Sequence, residues 1–303
     1  MKKIEQTYGY DDVAIVPGEI TLNPELVDTN TRIGDLELDV PIFASAMDSV
    51  VDPNFSKELS DLGGAGVINL DGIHVRYENT EEIYQDIVST PQKDITALLQ
   101  KIYSAPVKEN LVSEVVKKIK DSGGKCFASF VPASTKRLAP VAVEAGCDAV
   151  VVQSTVTTAR HNSKSLEGLI LSKLVDSLNV PIIVGNTVTY NVTRELMEQG
   201  VDGILVGVGP GSACTSREVL GVGVPQVSAT LECSSARDDY YKLTGRYVSI
   251  ITDGGIRTGG ELCKSFVAGA DAVMIGSPFS KTHEAPAKGN HWGMATPHGS
   301  LPR

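Results

Sequence analysis

Long apolar runs are missing from this chain: the longest are the size of a β-strand, too short to cross a bilayer as a helix. A secretory leader is missing too, because the opening residues MKKIEQTYGYDD are polar. Cysteine is sparse. Cys126, Cys147, Cys214, Cys233 and Cys263 make an odd number at scattered spacings, with no CxxC pair, which argues against a disulfide framework and a structural zinc site. Reduced thiols and the absence of a leader place the expected location in the cytoplasm. Excess positive charge is lacking as well. A formal net charge of -10 speaks against nucleic acid as the main partner. It does not exclude a local phosphate site, since backbone amides bind anions without any net charge.

What the chain does have is apolar residue in quantity, 42% of 303 residues, enough for a large core. It is dealt out in short runs rich in Val, Ile, Ala and Gly: PIFAS (41–45), GAGVINL (64–70), KCFASFV (125–131), AVVVQS (149–154), PIIVGN (181–186), GILVGV (203–208), VSIITDGG (248–255) and AVMIGS (272–277). Helical periodicity is expected between them, over 55–62, 138–145, 166–178, 191–199 and 260–268. The phrases EAGCDAVVV, EQGVDGILV and VAGADAVMI repeat one design, in which a helix stops at Gly146, Gly200 or Gly269, an Asp follows and a strand begins. Eight such units in about 250 residues predict a (β/α)8 barrel, an α/β fold. An open doubly wound sheet is the alternative, but it would show GxGxxG after its first strand, where this chain has AMDSVVD.

Two regions depart from the repeat. Residues 71–110 read as helices inserted between the second and third strands of a single domain spanning 1–303. After Ser277 the sequence SKTHEAPAKGNHWGMATPHGSLPR is rich in Gly, Pro and His. It predicts a barrel lacking its final helix and an incomplete flap over 278–303, the gap being that of a fragment or one covered by another subunit. His291 and His298 in this stretch are expected to be solvated rather than metal-bound, because no zinc spacing accompanies them.

The chemistry concentrates in GVGPGSACTSREVLGVGVPQ (207–226), where an apolar strand delivers Cys214 into a glycine-rich loop. Bare backbone at Gly207, Gly209 and Gly211 lets an anion or a cation approach the main chain. Ser212 adds a hydroxyl. Arg217 is a candidate for lowering the thiol pKa, and the thiolate is the reactive form.

These markers together resemble the IMP dehydrogenase and GMP reductase family, most closely a short branch related to IMP dehydrogenase. They are YGYDDVAIVPG, PIFASAMDSVVD, GNTVT, GPGSACTSR, DGGI and MIGSPF, in that order along successive strands. The resemblance implies an NAD- or NADP-dependent oxidoreductase acting on IMP, XMP or GMP, with Cys214 forming a covalent bond to the purine C2 and Ser216 assisting. It implies that Ser212, Gly255, Gly276 and Ser277 hold the 5′-phosphate, that Asp253 accepts from the ribose hydroxyls, and that Ser45, Met47, Gly293 and Met294 contact the base. Gln153 and Asn186 match cofactor-contacting positions, and the carbonyls of Gly209, Gly211 and Cys214 match a potassium site. A homotetramer is implied too.

Four departures from the family pattern stand out. Ser216 occupies a position usually held by threonine, and Gln153 one usually held by aspartate. Regulatory adenine-nucleotide-binding (CBS) modules are absent from the insertion site. No Arg-Tyr pair follows Ser277, and the acidic partner of that flap would lie past Arg303. The direction of reaction stays open at this level. So do two other readings: a truncated or non-catalytic purine-nucleotide-binding protein, and a barrel acting on another phosphorylated metabolite.

Overall fold

The computed structural model describes residues 5–162 and 168–293. An antiparallel hairpin, β1 (Thr31–Ile33) and β2 (Leu36–Leu38), precedes the barrel strands. These are β3 (Ile42–Ala44), β4 (Ala65–Asn69), β5 (Phe127–Phe130), β6 (Ala149–Gln153), β7 (Ile182–Thr187), β8 (Gly203–Val206), β9 (Ser249–Asp253) and β10 (Ala272–Ile275). Each of the eight apolar runs supplies one of them. They close in the order β10-β3-β4-β5-β6-β7-β8-β9, every pairing parallel, so the open-sheet alternative is excluded.

Alternation along each strand explains why the runs are apolar throughout: one face fills the barrel and the other meets the helices. Phe43, Val67, Phe127, Val151, Ile183, Leu205, Ile251 and Met274 form the interior, which Ile33 and Leu38 of the hairpin join from outside the sheet. Ile68, Val150, Val152, Val184, Ile204 and Ile250 face outward into a second cluster with helix residues.

The helices are α1 (Pro53–Asp61), α2 (Thr80–Ser89), α3 (Ile95–Ser104), α4 (Glu109–Asp121), α5 (Pro132–Glu144), α6 (Leu171–Ser177), α7 (Tyr190–Met197), α8 (Ser216–Leu220), α9 (Gln226–Thr244), α10 (Gly259–Val267) and α11 (Ser277–Ser280). Helices α2 and α3 lie between β4 and β5, and pack a cluster of their own containing Ile73, Tyr84, Leu99, Tyr103 and Trp292. Past β10 the described chain holds only the four-residue α11, then turns as far as Gly293.

The repeated Gly-x-Asp phrase has a structural cause. Gly146, Gly200 and Gly269 end their helices with φ of +100°, +90° and +98°. The Asp two residues later caps the neighbouring strand. Asp148 Oδ2 accepts from the Cys126 amide at 2.7 Å, Asp202 Oδ2 from Ile182 at 2.9 Å, and Asp271 Oδ2 from Ile250 at 2.7 Å. Each also pairs with a cation: Lys120, Arg246 and Arg237 respectively.

Candidate active site

The C-terminal ends of the strands surround a cavity of ≈ 730 Å³. Its walls come from the segments after β3 (Ser45, Met47), β8 (Gly207 to Arg217), β9 (Asp253 to Arg257) and β10 (Gly276, Ser277), with Gln153 and Asn186 from the ends of β6 and β7. His291 and Gly293 reach it from the terminal segment, and Gly9 to Asp12 from the N-terminal one. The structure thus brings together all the expected site residues except Met294, which lies outside the described residues.

Cys214 sits on the lip of this cavity and is exposed, its Sγ donating to Ser216 Oγ at 3.2 Å. Cys126, Cys147 and Cys233 are buried, and burial raises their thiols, Cys147 and Cys233 to about 12. Cys263 is exposed but lies on α10, outside the cavity lining. Of the five thiols, Cys214 alone is accessible to a ligand in this cavity.

The loop holding it is shaped from beneath by Arg217. Its Nε donates to Val208 O at 3.1 Å and its Nη2 to Val224 O at 2.5 Å. These bonds assign Arg217 a scaffolding part that its sequence position did not reveal, and its guanidinium also interacts electrostatically with Cys214. Gly209, at φ +72°, admits the arginine stem: a Cβ there would lie 2.7 Å from Arg217 Cγ. The Gly211 carbonyl accepts the Cys214 amide at 3.0 Å, which leaves its second lone pair open.

Asp253 anchors the floor. Its Oδ2 accepts from Asn186 Nδ2 at 2.7 Å and Gln153 Nε2 at 2.9 Å, and Gln153 Nε2 also lies 3.3 Å from Asn186 Oδ1. The expected ribose ligand and the two expected cofactor ligands therefore form one cluster. Burial pushes the Asp253 carboxyl up to about 6, and the two amide donors only partly offset it. Gln153 Oε1 is buried with no hydrogen-bond partner among the described residues. Gln226 braces the floor, its Nε2 donating to Val206 O at 2.6 Å and lying 3.3 Å from Asp253 O. Only its position after a Pro could have signalled it in the sequence.

Ser212 Oγ and Ser277 Oγ are 2.7 Å apart, brought together from β8 and β10. His291 Nε2 is 3.0 Å from Ser277 Oγ and 3.3 Å from Ser212 Oγ. This corrects the expectation of a solvated His291: the ring is part-buried and lies against the two serines. Its place beside Gly293 in HWGMA was the available signal. His298 lies outside the described residues.

Behind Met47 a second carboxylate is enclosed. Asp48, 2% exposed, accepts on Oδ2 from the Tyr103 hydroxyl, the Ile73 amide at 3.2 Å and Asn69 Nδ2 at 3.3 Å, while Oδ1 has no hydrogen-bond partner among the described residues. Burial raises its carboxyl to about 6 against those donors. Trp292 Nε1 donates to Tyr103 Oη at 3.1 Å, so one phenol on α3 joins the Met47 loop to the terminal segment. Sequence inspection passed over this network because its members are far apart in the chain.

Among the described residues there is no group of three or more His, Cys, Asp or Glu able to hold a metal ion, and no helix long and apolar enough to cross a membrane. The model of the IMP dehydrogenase / GMP reductase domain matches residues 7–293. An uncharacterized oxidoreductase of Mycolicibacterium smegmatis is 34% identical over 305 residues, 98% of this chain and 81% of that protein. The inosine-5′-monophosphate dehydrogenase of Cryptosporidium parvum is 31% identical over 295 residues, 95% of this chain and 71% of that protein. Among solved structures, an IMP dehydrogenase/GMP reductase-like protein from Corynebacterium glutamicum superposes with a TM-score of 0.93 at 32% identity, covering 100% of this chain and 81% of that one. With the barrel, the cysteine loop and a match over nearly its whole length, the chain belongs to the IMP dehydrogenase / GMP reductase family of oxidoreductases.

Proposed function

We propose that the protein is a nicotinamide-dependent oxidoreductase acting at C2 of a purine nucleotide through a covalent bond to Cys214. The observation that carries this reading is the exposed Cys214 thiol on the lip of the cavity, facing a floor of hydrogen-bond acceptors and a cluster of hydroxyl donors. Purine C2 is a poor electrophile towards water, and covalent attachment divides one hard step into two easier ones.

In the oxidative direction Cys214 Sγ bonds to C2 of IMP and the C2 hydrogen departs as hydride. Water then adds at C2, the C–S bond breaks, and XMP leaves. In the reductive direction Sγ displaces ammonia from C2 of GMP, hydride arrives at C2, and the C–S bond breaks to release IMP. When bound beside Gln153 and Asn186, NAD or NADP would accept or supply that hydride. Ser216, bonded to Sγ, is placed to orient the attacking water or the departing amine.

Ser212, Gly255, Gly276 and Ser277 would hold the 5′-phosphate. Asp253 would accept from the ribose hydroxyls, and Ser45, Met47 and Gly293 would line the base. Gln153 and Asn186 suit ribose hydroxyls on the cofactor side, and the unpartnered Gln153 Oε1 fits that role. The carbonyls of Gly209, Gly211 and Cys214 are hard oxygen donors of the kind a potassium ion takes. The chain would act as one catalytic domain in which α2 and α3 are an insertion. A homotetramer would cover apolar side chains such as Val16, Ile20 and Leu22, which are exposed in the single chain.

Separate incubations with IMP plus NAD and with GMP plus NADPH, followed by the absorbance of the reduced cofactor, test the activity and its direction. A rise in the first or a fall in the second supports the reading. No change in either, with IMP or GMP still protecting the fold against heat, favours a non-catalytic binder.

A further inference from the structure

Leaving β3, the chain passes through Ser45, Ala46 and Met47, which wall the cavity, and then enters the buried Asp48. The start of this segment is tied to the barrel, the Ser45 amide donating to Ile275 O at 2.9 Å. Its far end is gripped twice from outside the barrel. The Tyr84 hydroxyl of α2 donates to the Asp48 carbonyl at 2.6 Å, and the Tyr103 hydroxyl of α3 donates to Asp48 Oδ2. The carboxylate also presses on Gly72, where any Cβ would collide with Oδ1.

Burial, and after it the Asp48 charge, hold both phenols well above their ordinary value, so each keeps the proton it donates. With that proton committed, the Tyr84 oxygen accepts from His74 Nε2 at 3.0 Å and the Tyr103 oxygen from Trp292 Nε1 at 3.1 Å. Neither tyrosine lines the cavity. Packing against Ile73, Leu99 and Ile102 would be served as well by phenylalanine, because a buried hydroxyl costs desolvation unless it holds something in place. Here both hydroxyls hold the same residue.

We propose that Tyr84 and Tyr103 are positioning residues, which from the inserted helices α2 and α3 fix where Met47 stands on the cavity wall and so how a purine base fits beside it. The inference rests on the reading of the cavity as a purine-nucleotide site and deepens it, giving the insertion a part in substrate recognition. Met47 has little slack of its own. Its Sδ lies over Gly276, where a Cβ would come within 3.1 Å of it, so a shift of Asp48 is passed on to the side chain that meets the ligand.

Tyr84→Phe and Tyr103→Phe keep the rings and delete the two hydroxyls. Tyr77→Phe is the control, because its hydroxyl belongs to the same cluster but donates to Ile102 O at 2.9 Å. Two measurements on the full-length protein test the inference: calorimetric titration with IMP, and the NMR resonance of the Met47 ε-methyl in the free protein. IMP affinity should fall roughly 10-fold in Tyr84→Phe and in Tyr103→Phe, the scale of one lost hydrogen bond, and stay at the wild-type value in Tyr77→Phe. The Met47 methyl should move in the first two variants and not in the third. Unchanged IMP affinity in the first two overturns the inference, as does an equal loss in Tyr77→Phe, or a loss with the Met47 methyl unmoved. Should Tyr103→Phe, which also alters the Trp292 contact, fail to fold, Tyr84→Phe decides alone. Wild-type protein that binds no IMP removes the site reading and the recognition part of the inference with it, whereas the Met47 methyl tests the positioning in either case.

Discussion

The two ends of the barrel hold their carboxylates on opposite terms. At the N-terminal end Asp148, Asp202 and Asp271 each accept a strand amide and each face a lysine or arginine. At the C-terminal end Asp48 and Asp253 are enclosed by neutral donors, make no ion pair among the described residues, and are driven up to about 6 by burial. The first arrangement satisfies every charge and locks strand to strand. The second leaves charge under-compensated, which costs stability, and of the two only Asp253 lines the cavity. The division is the one expected when stability is secured at the strand N-termini and function sits at the strand C-termini.

Substitutions at the two ends should therefore separate activity from stability. The largest effect is expected from Cys214→Ala, which should lower turnover by a factor on the order of a thousand or more while shifting the melting temperature hardly at all, because the thiol is exposed. A steady-state assay paired with a thermal melt reads both; a large drop in melting temperature would blur the division.

At the opposite end, Asp271→Ala removes one of the two carboxylates paired with Arg237, whose side chain is 8% exposed, and leaves the Ile250 amide and the Tyr247 hydroxyl without their acceptor. A loss of about 3 kcal/mol in urea unfolding is expected, with unchanged kcat in the folded fraction. Lost turnover at full folding would show that the lower end reaches the chemistry.

Next comes the pH dependence of Asp253. Its folded pKa, about 6, lies above the unfolded value of 3.8, so the folded state holds the proton more tightly. The associated stability is complete below pH of about 4 and is lost as pH rises through about 6, amounting to about 3 kcal/mol. Asp253→Asn should flatten that part of the stability profile, seen in unfolding curves at pH 4 and pH 7, and should cut activity sharply. An unchanged profile would mean that Asp253 ionises freely in the folded protein.

The smallest effect is expected from Asp202→Ala. Its ion pair with Arg246 is more exposed than that of Asp271, which weakens the pair through solvent screening. A loss of about 1 kcal/mol is expected, carried mainly by the Ile182 amide left without its acceptor. A loss equal to that of Asp271→Ala would show that burial does not set the ranking.

Much of this architecture was legible beforehand because it is local. Strand runs such as AVVVQS and PIIVGN announce themselves by composition, and the glycines at 146, 200 and 269 mark helix ends that the backbone then adopts. The cysteine loop was readable for the same reason, since Gly209 through Ser216 are contiguous. What escaped notice was distributed. His291 and Ser212 are 79 positions apart, and Tyr103 and Trp292 are 189 apart. No window along the chain joins them. The scaffolding bonds of Arg217 escaped notice too, because sequence proximity to Cys214 says nothing about where a long side chain points.

By itself, then, the order of residues determined the repeating strand and helix units, the glycine turns between them and the glycine-rich loop that carries Cys214, all of which depend on propensity over a few neighbours. Only closure of the barrel decided which carboxylates would be neutralised, which would be left short of partners, and that a histidine near the end of the described chain would meet two serines from different strands. Hydrogen bonds and desolvation act over a few ångströms in space, and only the folded chain sets those distances.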